Sequence, residues 1–148
     1  MPTTKIFIAS SGIAKNQANA IIKAFTSATL EFLPWWDSFT PGRTLLGDLD
    51  GIKNKVDGAL ILLSPEAPAT MRGNSVAIPN QNVLFEFGYF YGALGPQKVG
   101  VIKYGEYYLP SDLGGYIHIA GSEFFQPNKV AQIGKRTTAA FNKWVAQL

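Results

Sequence analysis

The residue with the clearest potential for chemistry is Glu86, a single carboxylate inside a long apolar segment. It is the one charged residue between Gly73 and Gln97, and aromatic or aliphatic side chains surround it. Burying an ionised carboxylate without a partner is costly or raises its pKa, so such a segment needs a partner or a function that compensates. Two interpretations follow. Either Glu86 pairs with Arg43, Arg72 or backbone donors and fixes the packing of its helix, or it acts on a ligand.

Several polar side chains are candidates to share a site with this carboxylate. Ser10 and Ser11 follow an apolar run and can donate hydrogen bonds to a ribose or a phosphate beside the start of a helix. They serve equally well as an ordinary helix cap, because no glycine-rich nucleotide motif accompanies them. Asn82 lies four residues before Glu86, which places both on the same face of a helix.

Two adjacent tryptophans end the second apolar run. On a strand, Trp35 and Trp36 point in opposite directions, so we expect one to face the core and the other the following loop. Trp36 is the candidate for stacking on a flat ring, although packing in a core or an interface is the commoner use of such a residue.

The composition argues against several functional classes. The chain has no cysteine and a single histidine, His118, to which we assign no role, so a metal site is not expected. The net charge of +3 is spread along the chain without a run of lysine or arginine, which disfavours nucleic-acid binding. No apolar stretch has the length of a membrane span, and a cytoplasmic location is expected.

Apolar runs and helical patterns alternate along the chain and predict the elements that hold these residues. The strands are expected at 5–9, 30–35, 56–63, 99–104 and 115–120. Helical spacing is seen over 14–28, 44–55 and 80–94, the last capped by Asn80, and in a final helix with apolar positions from Val130 to Leu148. The segment from Ser64 to Pro79 is predicted to be a long loop with a function. The fold class is α/β, a flavodoxin-like three-layer domain with a central, mostly parallel five-stranded sheet in the order 2-1-3-4-5.

This topology predicts where the candidate residues meet. Ligands of a doubly wound sheet bind beyond the carboxyl ends of the strands at the switch point, here between the first and third strands. The loops at Ser10–Gly12, Trp36–Arg43 and Ser64–Pro79 converge on that edge, and Glu86 lies in the second turn of the helix that follows. We therefore expect a crevice that contains this carboxylate, in a single domain formed by residues 1–148.

Most of the chain resembles the bacterial TIR-like domains regarded as nucleotide-binding. The specific elements are Asn-Val-Leu-Phe-Glu-Phe-Gly around Glu86 and Leu-Pro-Ser-Asp-Leu-Gly near residue 110. The resemblance extends over Lys5–Gly12, Leu33–Leu46, Ala59–Glu66, Pro79–Gly95 and Leu109–Gly115. It implies an antiphage effector that degrades NAD when a cyclic-nucleotide sensor of STING or SAVED type, often fused to the TIR-like domain, drives its assembly.

The resemblance also implies roles for residues. Glu86 falls on the catalytic glutamate of the family, with NAD as substrate and no further cofactor. We expect the nicotinamide and ribose near Glu86, Ser10, Trp36 and Asp37, and a phosphate at Arg43. Neighbouring copies are expected to assemble into an oligomer or filament through the Trp36–Arg43 loop and to complete one site. The chain either ends at its last helix or belongs to a longer protein with a C-terminal sensor.

Two other functions stay open at this stage. The chain could be a non-catalytic TIR module that signals by self-association, in which case Glu86 is structural. It could also be a nucleoside-processing enzyme related to deoxyribosyltransferases, because a flavodoxin-like sheet with a ribose-facing glutamate suits that chemistry as well.

Overall fold

A parallel five-stranded sheet forms the centre of the molecule. The computed structural model describes residues 2–110, 113, 116 and 118–148. Within them the sheet order is β2-β1-β3-β6-β7, with every neighbouring pair parallel. The predicted α/β flavodoxin-like fold and its 2-1-3-4-5 order are confirmed, because these are the five sheet strands taken in chain order. The strands are β1 (Thr4–Ala9), β2 (Leu30–Pro34), β3 (Gly58–Leu63), β6 (Val99–Lys103) and β7 (Ile119–Ala120).

Four helices cover the two faces of this sheet. They are α1 (Lys15–Phe25), α2 (Leu45–Lys53), α3 (Gln81–Leu94) and α4 (Lys135–Val145). Side chains of a strand alternate between faces, so Ile6 and Ile8 of β1 pack toward α1 and α4, while Phe7 and Ala9 pack toward α2 and α3. All six residues of β3 are buried, as expected for a parallel strand covered on both sides. None of the described helices is both long and apolar enough to cross a membrane.

The residues that flank α3 explain where this helix begins and ends. The side-chain oxygen of Asn80 accepts hydrogen bonds from the backbone N–H groups of Asn82 and Val83, at 2.9 and 3.1 Å. This confirms the predicted cap and satisfies two of the N–H groups that a helix leaves open at its start. At the other end Gly95 has a φ of 90°, a conformation that glycine adopts readily and that ends the helix before β6.

The segment from Ser64 to Pro79 is not the loop that its composition predicts. It contains an antiparallel hairpin of β4 (Ala67–Met71) and β5 (Asn74–Ile78), which lies outside the main sheet. Arg72 and Gly73 form its two-residue turn with φ values of 51° and 81°, the conformation that matches the twist of hairpin strands. The prediction of a long loop was therefore wrong.

The C-terminal part differs from its prediction in extent. The last helix begins at Lys135, so Val130 and Ile133 precede it in an irregular segment. The fifth strand is confined to Ile119–Ala120, and Gly115 and Ile117 of the predicted strand lie outside the described residues. The same holds for Ser111, Asp112, Gly114 and Gly115 of the Leu-Pro-Ser-Asp-Leu-Gly-Gly segment.

Candidate active site

A cavity of about 300 Å³ opens at the carboxyl edge of the sheet, where β1 lies between β2 and β3. Residues from the connections after β1 and β2 line it, as the topology of the switch point predicts, whereas the Ser64–Pro79 segment contributes no lining residue and α3 with its cap takes that place. The β1–α1 turn contributes Ser10, Ser11 and Gly12, the β2–α2 connection contributes Trp35, Phe39 and Leu45, and α3 with its cap contributes Asn80, Asn82, Val83 and Glu86.

Glu86 is buried at this cavity without a hydrogen-bond partner for one of its oxygens. The residue is 6% exposed, and Oε2 has no partner among the described residues. Burial raises the pKa of this carboxyl from 4.5 to about 7, because the charged form is poorly solvated there. A carboxyl of this kind changes its charge near neutral pH, as groups that act in catalysis often do.

The pairing that would make Glu86 purely structural is not present in the part of the chain that the structure describes. The Nε of Arg43 lies 3.1 Å from a carboxylate oxygen of Asp48, on the neighbouring helix α2. Arg72 lies at the exposed turn of the β4–β5 hairpin. Neither arginine forms an ion pair with Glu86, so the observed geometry favours the interpretation in which this carboxylate serves a ligand.

The two serines of the β1–α1 turn are in different states, although both are buried. The hydroxyl of Ser10 accepts a hydrogen bond from the indole N–H of Trp35 and donates one to the carbonyl of Ser11, each at 3.0 Å. The hydroxyl of Ser11 has no partner among the described residues, and the residue is 4% exposed. Both line the cavity, but only Ser11 has an uncommitted hydroxyl.

Trp36, Asp37 and Arg43 are not among the described residues that line the cavity, and a substrate contact by any of them stays a prediction. The strand β2 ends at Pro34, and Trp35–Asp37 form a tight helical turn in which successive side chains diverge by about 120°. Trp36 therefore packs on the α1 face of the sheet, with the Nζ of Lys15 at 4.9 Å from its ring centre.

Asp37 and Arg43 also lie away from the lining of the cavity. Asp37 is exposed to solvent. The guanidinium of Arg43 is held by Asp48, and in this conformation it does not reach the cavity. The phosphate contact predicted for Arg43 stays a prediction, and it would require the side chain to leave Asp48.

Sequence reasoning missed four apolar wall residues of the cavity, namely Trp35, Phe39, Leu45 and Val83. Phe39 packs edge-on against Phe7 of β1, with ring centres 6.5 Å apart, so the wall is continuous with the core. The signal that could have identified Trp35 is the proline before it, because a proline readily ends a strand and breaks the alternation on which the prediction relied.

The described lining of the cavity carries an acidic group and no basic one. Among the described residues that line it, Glu86 is the only ionisable one, and none is a lysine or an arginine. Within the described residues, no three histidine, aspartate or glutamate side chains come together as a metal site. The described wall of the cavity thus combines one acid with uncharged polar and apolar side chains, and it offers an opposite charge to a cationic ligand.

The described residues form an α/β domain of flavodoxin-like order with a carboxylate at the switch point, on the helix after the third sheet strand, as expected for the TIR-like domains that the sequence resembles. A family model described as "CAP12/Pycsar effector protein, TIR domain" matches residues 5–123. The chain belongs to this family, which confirms the resemblance to bacterial TIR-like effector domains.

Curated relatives support the same assignment. CD-NTase-associated protein 12 of Sphingobacterium faecium is 33% identical over 111 residues, which is 75% of this chain and 34% of that protein. The Pycsar effector protein PaPycTIR of Pseudomonas aeruginosa is 29% identical over 120 residues, 76% of this chain and 39% of that protein. The chain thus spans little more than a third of the length of these relatives.

Proposed function

We propose that this chain is the effector domain of an antiphage protein and cleaves the nicotinamide N-glycosidic bond of NAD, with Glu86 as the catalytic residue. The observation that carries the proposal is the state of Glu86: a buried carboxylate at a cavity, with a raised pKa and an oxygen that no described residue satisfies. A buried polar atom without a partner is destabilising, so its retention calls for a ligand.

The charge of the cavity supports NAD as the substrate class. The nicotinamide ring of NAD carries a positive charge, and the only ionisable side chain among the described lining residues is an acid. A phosphate, in contrast, finds no cation there, since Arg43 is paired with Asp48. The proposal therefore places the nicotinamide and its ribose in the cavity and the diphosphate outside it.

The chemistry of this bond matches a single carboxylate. When it breaks, its electron pair goes to the pyridinium nitrogen, and nicotinamide leaves as a neutral molecule that needs no acid catalyst. Positive charge then develops on the ribose as an oxocarbenium ion, which a nearby carboxylate stabilises or traps. Water adds its hydroxyl to the anomeric carbon and releases a proton, giving ADP-ribose, whereas attack by a nucleophile within the substrate gives a cyclic form.

The size of the cavity supports a role for assembly. Its volume of about 300 Å³ is at the low end of the roughly 300–1,000 Å³ usual for ligand sites, which suits one nucleoside but not a whole dinucleotide. Leu46 and Phe85 are exposed by 45% and 49%, and both neighbour lining residues in sequence. We propose that a second copy, docking through the Trp36–Arg43 loop and these residues, completes the site for the rest of NAD.

The names of the relatives support the biological setting. One group is named CD-NTase-associated and another as Pycsar effectors. By similarity, we propose that this chain acts in the cytoplasm under the control of a cyclic-nucleotide signal, through a sensor domain of the same protein or of a partner.

The test is nicotinamide release from NAD, measured at protein concentrations that span self-association as monitored by light scattering. The parent protein is expected to release nicotinamide in its assembled state, and Glu86→Gln to be slower by at least about a thousandfold. Glu123→Gln is the matched control, because it makes the same chemical change at an exposed position away from the cavity. Equal rates in the parent and Glu86→Gln would falsify the proposal.

The same assay separates the alternatives. A non-catalytic signalling module assembles but releases no nicotinamide at any protein concentration. It would also release none when the domain is part of the full protein with its activated sensor. An enzyme of the deoxyribosyltransferase kind cleaves free nucleosides in preference to NAD, so adenosine and deoxyadenosine belong in the substrate panel.

A further inference from the structure

The β1–α1 turn contains two buried serines that the fold treats differently. Both hydrogen-bonding functions of the Ser10 hydroxyl are used, one by the indole N–H of Trp35 and one by the carbonyl of Ser11. The Ser11 hydroxyl is buried at the same cavity as Glu86, and no described residue binds it. A difference of this kind between adjacent residues indicates different tasks.

We propose that Ser11 is the residue that recognises a hydroxyl of the substrate ribose, and that Trp35 and Ser10 are a positioning pair that holds Ser11 in place. The proposal rests on the proposed function and deepens it, because it makes the site selective for a ribose that retains the hydroxyl contacted by Ser11.

The chemistry of the uncommitted atoms supports a ribose rather than another group. A serine hydroxyl both donates and accepts a hydrogen bond, and an ionised carboxylate only accepts. Sugar hydroxyls, which also donate and accept, satisfy both kinds of atom. An anionic group is disfavoured, because the acid Glu86 is the only ionisable residue in the part of the lining that the structure describes. An apolar ligand would leave Ser11 and Glu86 unsatisfied.

The positioning role follows from the order of the hydrogen bonds. Trp35 lies in the turn after β2 and packs on the apolar core beneath the cavity. This packing fixes the position of its indole N–H. The N–H fixes the oxygen of Ser10, which in turn holds the carbonyl of Ser11. Two short links therefore connect the wall of the cavity to the backbone of the residue that would contact the ribose.

The first test compares Ser11→Ala with the parent on NAD and on two analogues that lack the 2′- or the 3′-hydroxyl of the nicotinamide ribose. Each rate is divided by the uncatalysed rate of the same compound, because removing a hydroxyl changes the stability of the oxocarbenium ion. We expect Ser11→Ala to lower kcat/KM for NAD roughly 5- to 10-fold, mainly through KM, and to have no effect on one of the analogues. A loss of equal size on all three compounds, or no loss on NAD, would overturn the proposal.

The second test is a double-mutant cycle on the positioning pair. Trp35→Phe and Ser10→Ala each remove the indole–hydroxyl bond, so the double variant should lose no more kcat/KM than the more severe single variant. Trp35→Phe and Ser10→Ala should also each reduce the preference for NAD over the analogue on which Ser11→Ala has no effect. A general loss of stability would not change this preference. Additive losses with an unchanged preference would show that the pair has no positioning role.

A binding measurement separates this proposal from the proposed function. Nicotinamide riboside is titrated by calorimetry into assembled Glu86→Gln, with and without Ser11→Ala. If the parent protein turns over NAD and Ser11→Ala does not weaken riboside binding, the ribose contact is wrong and the enzyme assignment stands. If the parent is inactive but riboside binds and Ser11→Ala weakens it severalfold, the contact stands without catalysis.

Discussion

Asp48 and Glu86 are two buried carboxylates on neighbouring helices of the same sheet face, and the fold treats them in opposite ways. They are 8% and 6% exposed. Asp48 accepts a hydrogen bond from the backbone N–H of Thr40 at 2.9 Å, and its carboxylate forms an ion pair with the Nε of Arg43 at 3.1 Å. For Glu86, Oε2 has no partner in the part of the chain that the structure describes.

The difference shows how a structural acid can be told from a functional one. The contacts of Asp48 with Thr40 and Arg43 connect the start of α2 to the loop before it. Its charge is therefore compensated within the fold, and its role is structural. Glu86 has the same degree of burial without such compensation, and its pKa is raised to about 7. A substrate that brings its own donors and positive charge would supply what Arg43 and Thr40 supply to Asp48.

The largest expected effect concerns activity as a function of pH. Only the ionised carboxylate stabilises an oxocarbenium ion, and the pKa of Glu86 is about 7 in the free protein. We therefore expect kcat/KM for NAD to fall about a hundredfold between pH 8 and pH 5, with kcat turning at lower pH because bound cationic nicotinamide favours the ionised form. A flat profile over the range in which the protein remains folded would contradict a role for this ionisation.

The second effect concerns stability. Because burial raises the pKa of Glu86 from 4.5 to about 7, the folded state keeps a proton that the unfolded chain releases between these values. The contribution of this group is most favourable below pH 4.5 and falls by roughly 3 kcal/mol as the pH rises through 7. Glu86→Gln removes this loss. In urea unfolding, the free energy of unfolding of the variant should therefore rise relative to that of the parent between pH 4.5 and pH 8. A difference that does not change with pH would argue for a compensated carboxylate.

Asp48→Asn should act in the opposite direction. It weakens a buried pair, but the Arg43 side chain is 62% exposed, so we expect a loss of about 2 kcal/mol in the free energy of unfolding rather than the larger value of a fully buried pair. The exposed Asp37→Asn is the control and should change stability by less than about 0.5 kcal/mol. Should Asp48→Asn prove as stable as its control, the contrast with Glu86 would lose its basis.

The smallest effect concerns the cap that sets the start of α3. Asn80→Ala removes the acceptor for the N–H groups of Asn82 and Val83 and should cost about 1 kcal/mol of stability. Asn80→Asp keeps an acceptor and should retain most of the stability. Thermal unfolding of the three proteins measures this, and equal melting temperatures would show that the cap is dispensable.

The sequence was sufficient to predict the sheet order and the location of Glu86, for physical reasons. Buried parallel strands are nearly continuous apolar runs, and a charged residue in an apolar helix stands out without any structure. Ser10, Ser11 and Asn82 were correctly placed at the switch point because the carboxyl ends of parallel strands share one edge.

What escaped prediction depends on local geometry that composition does not reveal. The hairpin over Ala67–Ile78 was missed because its proline, glycine and serine content is typical of loops, although Ala67, Ala69 and Met71 alternate as a strand does. Trp36 was chosen over Trp35 because alternation was assumed to continue past Pro34. Which serine has a free hydroxyl depends on an indole 25 residues away in sequence, a contact that only the folded chain specifies.

The most direct test of an uncompensated Glu86 is its own titration, followed by carboxyl carbon NMR in the free protein and with a hydrolysis-resistant NAD analogue whose ribose ring oxygen is replaced by carbon. We expect a midpoint near pH 7 in the free protein, as burial implies, and a lower midpoint when the cationic nicotinamide is bound. A midpoint at or below 4.5 in the free protein, unchanged by the analogue, would show that Glu86 is a paired structural acid.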